Sequence, residues 1–149
     1  MPERLRMSAD REPSRTAPPR PLGRAHALAP LIAASAAAIE AACELPAPLL
    51  DALHGAALFR TLLPRDLGGD ELSPADFVEM MEVIAAADAS TAWCIGQSSG
   101  CSMAAAYMRP DIAVEIWGND PRAVLAWGAG SPGIAKVVDG GFVVTGTWA

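Results

Sequence analysis

The side chains that could do chemistry are few and scattered. Gly128-Ala129-Gly130-Ser131-Pro132-Gly133 matches G-x-G-x-x-G, a pattern that in a dinucleotide fold opens a helix whose N-terminus meets the pyrophosphate. Here Pro132 and the strand-like run Ile134 to Val138 follow instead, so the Rossmann reading is rejected. What survives is a small-residue loop between strands, whose backbone amides can approach a flat or anionic ligand. Trp93, Gln97, Cys101 and Ala104 recur at helical spacing and share one face. They read either as core packing with one tolerated amide, or as a face on which Gln97 and Cys101 look into a ligand pocket between helices and a β-layer. His26 and His54 are isolated, and Ser98, Ser99 and Ser102 have no His–acid pair, so nucleophilic catalysis has no support. Glu79, Glu82 and Asp88 read as a solvated face. No metal-ligand spacing, phosphate loop or nucleic-acid patch is present, and no residue is assigned as catalytic or metal-binding.

The chain behind these residues has 149 residues, 52% hydrophobic, 19% charged and 5% aromatic, with 31 alanines. That supports a real core and excludes a wholly disordered chain, a collagen-like chain and a disulfide scaffold. The net charge of −6 argues against a generic nucleic-acid or anionic-membrane binder. The charge is uneven: residues 1–24 carry six Arg against Glu3, Asp10 and Glu12 (net +3), and the remainder carries five basic and fourteen acidic residues (net −9). With Pro2, Pro13, Pro18, Pro19 and Pro21 and little bulky apolar content, residues 1–23 are expected to be a disordered tail. They lack the apolar run of a signal peptide. Cys43, Cys94 and Cys101 sit in apolar, helical-looking sequence and are expected to be reduced, buried thiols of a cytoplasmic protein. No run approaches the roughly 18 consecutive apolar residues of a membrane span.

The periodicity predicts a helix from Arg24 to about Glu44, with a strained first turn at Pro30, and a second from about Leu49 to Phe59. Thr61 to Pro64 reads as an extended connector. Arg65-Asp66-Leu67-Gly68-Gly69 reads as a turn whose glycines take positive φ. Ser73-Pro74-Ala75-Asp76 is a helix start, with Ser as N-cap, Pro at the first position and an acid in the first turn. That helix should run to Ala87. Asp88-Ala89-Ser90 recaps a fourth from Thr91 to about Met108, and Pro110 opens a fifth ending at Gly118-Asn119. Then the pattern changes: Val124 to Trp127, Ile134 to Val138, and Phe142 onward read as strands of an antiparallel meander with a tight turn at Asp139-Gly140-Gly141. The fold class is therefore a mainly α domain (24–120) feeding the first strands of an antiparallel β-domain (121–149). Because the strand pattern is still running at Ala149, the expectation is the N-terminal portion of a longer product, aggregation-prone when isolated.

The order of motifs goes further. Leu63-Pro64-Arg65-Asp66-Leu67-Gly68-Gly69, then Leu72-Ser73-Pro74, then Ala87-Asp88-Ala89-Ser90-Thr91-Ala92-Trp93 resembles the acyl-CoA dehydrogenase superfamily. Ile116-Trp117-Gly118 and Val138-Asp139-Gly140-Gly141-Phe142 with Gly146-Thr147-Trp148 resemble its flavin-dependent monooxygenase branch, the oxygenase partners of two-component hydroxylases. The resemblance covers about residues 24–149. It implies an N-terminal helical domain, a central β-domain and a C-terminal helical bundle that builds a homo-oligomer.

The same resemblance places Trp127, Gly128, Ala129, Gly130 and Ser131 against a flavin (FAD or FMN), as an incomplete site in this chain. The helix face of Trp93, Gln97 and Cys101, read above from its spacing, is the candidate substrate pocket. Two departures stand out. Dehydrogenases carry Thr-Glu-Pro before the Gly-Ala-Gly-Ser stretch, where Leu125-Ala126-Trp127 stands here; this disfavours a standard acyl-CoA dehydrogenase. The hydroxylase branch often has His on the fourth helix where this chain has Cys101. The implied activity is a flavin-dependent oxidoreductase, using either oxygen chemistry on reduced flavin shielded by an apolar pocket or hydride acceptance from an acyl thioester. Its partners would be an aromatic, polycyclic or acyl-CoA substrate and a flavin reductase, with no nucleic acid and no membrane. The 149 residues alone are expected to bind flavin weakly and not to turn over. The rival reading is a non-catalytic helical interaction module that kept the fold and lost the chemistry.

Overall fold

A computed structural model describes residues 20–127 and 133–147. Its first helix, α1 (Pro21–Ala42), starts three residues before the expected Arg24, because Pro21 suits the first helical position. It continues through Pro30, whose exposed ring sits mid-helix without ending it. By length and a mean hydropathy of 1.4, α1 could cross a membrane. In this structure Ala25, Ile32 and Ile39, seven residues apart, are buried and form a narrow seam against the following helices. α2 (Ala47–Gly55) stops short of the expected Phe59. Ala57 there adopts a left-handed φ of 52° and the chain tightens into a 3₁₀ turn, Leu58–Arg60.

The connector to the next helix is folded, not extended. It bends at residues 61–63 and forms a second 3₁₀ turn, Arg65–Leu67. Only one of the two glycines behaves as expected. Gly68 has φ +79°, whereas at Gly69 the reason for glycine is close approach, since a Cβ would lie 1.9 Å from the Leu63 carbonyl oxygen.

α3 (Pro74–Ala87) and α4 (Ala89–Ser102) begin as their sequences require. The Ser73 hydroxyl accepts from the Asp76 N–H at 3.2 Å, and the Asp88 carboxylate accepts from the Thr91 N–H at 2.6 Å. α4 ends earlier than the expected Met108. The Ser102 hydroxyl donates to the Ser99 carbonyl at 2.6 Å, competing with the helical ladder, and the chain winds down as a 3₁₀ turn, Met103–Tyr107. α5 (Pro110–Ala113) widens into a π turn, Val114–Gly118.

Two clusters make the interior. The larger joins Ile32 and Ile39 of α1, Leu49 and Leu53 of α2, Leu58, Phe59, Met80 and Ile84 of α3, and Ile95 of α4. Each fully buried Leu or Ile there contributes about 1.5–3 kcal/mol. The smaller packs Leu63, Ala105 and Ala113 around Trp117.

After residue 120 only two strands form among the described residues, β1 (Ile134–Val138) and β2 (Gly141–Thr145). They pair antiparallel from Ile134↔Thr145 to Val138↔Gly141, across a turn in which Gly140 takes φ +82°. The expected strand Val124 to Trp127 is absent; those residues are irregular, with no neighbouring strand to complete a ladder. The hairpin exposes both faces, including Val137 at 79% and Phe142 at 69%.

Candidate functional site

α4 has two distinct faces. Thr91, Ala92, Ile95, Ser99 and Ser102 are buried, and the Ser99 hydroxyl lies 3.2 Å from that of Thr61. Ser99 thus ties the loop before α3 to α4, Ser102 bonds back to the Ser99 carbonyl, and neither has nucleophilic geometry. On the opposite side Trp93 is 66% exposed, and Gln97 and Cys101 are half-buried one and two turns further on. The core-packing reading therefore fails for Trp93. The three side chains line one accessible helix face, and Ala104, beyond the end of α4, is exposed as well.

Trp127, at the end of the described segment, is 62% exposed. Gly128, Ala129, Gly130 and Ser131 lie outside the described residues. An exposed indole is a flat aromatic surface of the kind on which a flavin ring stacks, so the described part of this loop fits that group.

All three cysteines are free. Cys43 is exposed, and Cys94 and Cys101 are half-buried, so the expectation of buried thiols is corrected. Cys43 ends α1 in a left-handed conformation, which turns it outward. Cys43 and Cys94 line a cleft of about 550 Å³ with Glu40, Glu44 and Asp88. Burial, reinforced by the Asp88 carboxylate, pushes the Cys94 thiol above its ordinary pKa. Among the described residues no group of His, Cys, Asp and Glu is arranged to hold a metal ion. A second cleft of about 550 Å³ lies between the loop bearing Leu62, Leu67 and Leu72 and the segment bearing Met103, Tyr107 and Val114.

The polar centre that sequence reasoning missed is Arg60, only 7% exposed. Its guanidinium donates to four backbone carbonyls: Leu67 and Gly68 (3.5 Å) of the 3₁₀ turn before α3, Trp117 (3.0 Å) of the π turn, and Asp120 (3.2 Å) just beyond it. Burial pulls its pKa below the ordinary arginine value while Asp120 opposes the shift. The only sequence signal is a lone cation inside Leu58-Phe59-Arg60-Thr61-Leu62-Leu63. Nearby, Arg122 pairs with Asp51 of α2 at 2.9 Å. His54 is half-buried and tilted on Phe59 at 4.7 Å between ring centroids. Burial first, then Arg122, lowers the His54 pKa, against Asp120 and Asp51. His26 is exposed.

Comparison with known proteins places this geometry. No family model matches the chain. It is 40% identical over 100 residues to an indole-3-acetate monooxygenase of Pseudomonas putida, covering 67% of this chain and 25% of that protein. It is 33% identical over 144 residues to the oxygenase component of an FADH2-dependent resorcinol hydroxylase of Rhizobium sp. (strain MTP-10005), covering 96% and 35%. Among solved structures, XiaF from Streptomyces sp. in complex with FADH2 and glycerol superposes with a TM-score of 0.80 at 26% identity, covering 86% of this chain and 32% of that one. The chain thus spans between a quarter and about a third of the length of these relatives. Sequence and fold agree that the chain is homologous to the N-terminal part of the oxygenase components of flavin-dependent monooxygenases, which share the acyl-CoA dehydrogenase-like fold.

Proposed function

We propose that this chain forms the helical wall and the first flavin-facing loop of a flavin-dependent monooxygenase. In this reading the enzyme acts on a small aromatic or polycyclic substrate, in the cytoplasm, as a homo-oligomer supplied with reduced flavin by a reductase partner. The observation that carries it is the 33% identity over 96% of the chain to an FADH2-dependent oxygenase component. When bound, reduced flavin supplies the electrons that activate dioxygen.

Each part of the chain has a definite task in this reading. Trp127 and the following Gly128, Ala129, Gly130 and Ser131 would be the residues that contact the flavin. Trp93 and Cys101 give the substrate side an apolar surface that excludes water, and the Gln97 amide orients a substrate hydroxyl by hydrogen bonding.

The test uses the full-length protein with enzymatically reduced FAD, ¹⁸O₂ and two probes, resorcinol and indole-3-acetate. The expected result is ¹⁸O in the product of at least one probe. Gln97→Ala should lower kcat/KM about tenfold, the worth of one lost hydrogen bond. Reduction of bound oxidised flavin by an acyl-CoA, with no oxygen incorporated into either probe, would overturn the proposal in favour of dehydrogenation.

A further inference from the structure

Three of the four carbonyls held by Arg60 share a structural origin. Leu67 and Gly68 close the 3₁₀ turn Arg65–Leu67, Trp117 lies in the π turn Val114–Gly118, and Asp120 opens the tight turn that follows it. The last carbonyls of a helical turn have no partner within it and carry its partial negative charge. One buried guanidinium therefore caps two turns at once. A guanidinium suits this task because it stays protonated and presents five N–H donors in a rigid fork.

The consequence passes to the segment that follows. The Asp120 carbonyl also accepts from the Ala123 N–H at 3.1 Å, and the Asp120 carboxylate accepts from the Arg122 N–H at 2.8 Å. The Arg122 side chain then ties the segment to Asp51 on α2. Beyond Ala123, residues 124–127 are exposed and form no regular structure. Their direction is set at the Asp120 turn.

We propose that Arg60 is the positioning residue of this segment: by capping both turns, it fixes the direction in which residues 121–127 leave the helices and holds Trp127 at the flavin site. The second half rests on the flavin reading above.

The test compares Arg60→Met, which keeps bulk without donors, with Arg60→Lys, which keeps charge without the fork, both in the full-length protein. Three readouts are taken: the tryptic cleavage rate after Arg122, thermal unfolding by circular dichroism, and the FAD dissociation constant by fluorescence. Arg60→Met should speed cleavage after Arg122 about tenfold and weaken FAD binding by a similar factor, with Arg60→Lys intermediate, as expected for lost charge-assisted hydrogen bonds. Helical content at the assay temperature should be retained. Unchanged cleavage in Arg60→Met overturns the proposal. If Arg60→Met unfolds outright, wild-type cleavage and FAD affinity in Arg60→Lys overturn it instead. Faster cleavage with wild-type FAD affinity overturns the link to the cofactor. Failure of the wild-type protein to bind FAD removes the flavin reading, while the cleavage arm still decides the positioning role.

Discussion

Gly69→Ala should be among the most damaging single-methyl substitutions in this chain. The added Cβ would sit 1.9 Å from the Leu63 carbonyl oxygen, 2.4 Å from its carbon and 2.6 Å from the Leu63 Cβ. Two of these atoms are backbone, so no rotamer change relieves the overlap, and the loop must move by about 1.5 Å to reach ordinary contact. That movement strains three backbone hydrogen bonds: Glu71 to Leu63 (3.1 Å), Gly69 to Pro64 (3.1 Å) and Leu72 to Thr61 (3.0 Å). It also pulls at Leu63, which is fully buried beside Trp117. Two or three weakened bonds at about 1 kcal/mol each, with partial unpacking of a core leucine, give about 3–4 kcal/mol. Gly68→Ala is the internal control. Its φ of +79° penalises a side chain, but the nearest atom to an added Cβ is the Nη2 of Arg60 at 3.6 Å, an ordinary contact, so its cost should be about 1–2 kcal/mol. Urea denaturation followed by circular dichroism measures both. A Gly69→Ala variant less destabilised than Gly68→Ala would refute the close-approach argument.

Two further predictions concern titratable groups. In the folded protein iodoacetamide should label exposed Cys43 before Cys94, whose thiol is held up by burial and by Asp88, and Asp88→Asn should speed Cys94 labelling; peptide mapping showing Cys94 labelled first would contradict this. For His54, the folded pKa lies below the unfolded value of 6.5, so its contribution to stability is complete above that value and declines as pH falls through the lowered folded pKa. His54→Phe, which keeps an aromatic ring against Phe59, should therefore lose less melting temperature than wild type between pH 7 and pH 5; identical losses in the two proteins would remove His54 from the account.

What was legible in the sequence was local chemistry. Ser73 and Asp88 cap their helices because a short polar side chain before a helix has one favourable use, to accept an orphan N–H. Asp139-Gly140 forms the hairpin turn because only glycine takes φ +82° without penalty. What was not legible depended on distant partners. Arg60 was passed over because its acceptors arrive from residues 67–68 and 117–120. Gly69 looked like a turn residue because the Leu63 carbonyl it touches is not visible in a string of letters. Val124 to Trp127 has a strand's composition, but a strand exists only with a neighbour to bond. The candidate site divides in the same way. The order of motifs pointed to the family, whereas the accessible face of α4 required the buried face to be known first.

α4 offers a way to separate a site from a surface. A helix facing water has no use for glycine, which costs about 1 kcal/mol against alanine in a helix interior. Yet Gly100 lies on the side of Trp93 and Gln97, is exposed, and would have nothing within 4 Å of an added Cβ. Nothing within the described residues requires it to be glycine. If that face is merely solvated, Gly100→Ala should raise stability by about 0.5–1 kcal/mol and leave turnover untouched. If the face is the substrate wall of a flavin enzyme, the same methyl group should raise stability equally but lower kcat/KM by narrowing the space beside Gln97. Urea denaturation and steady-state kinetics on one variant separate the two effects. Equal stabilisation with unchanged kcat/KM would argue that substrate does not reach this turn of α4 and would move the proposed pocket elsewhere.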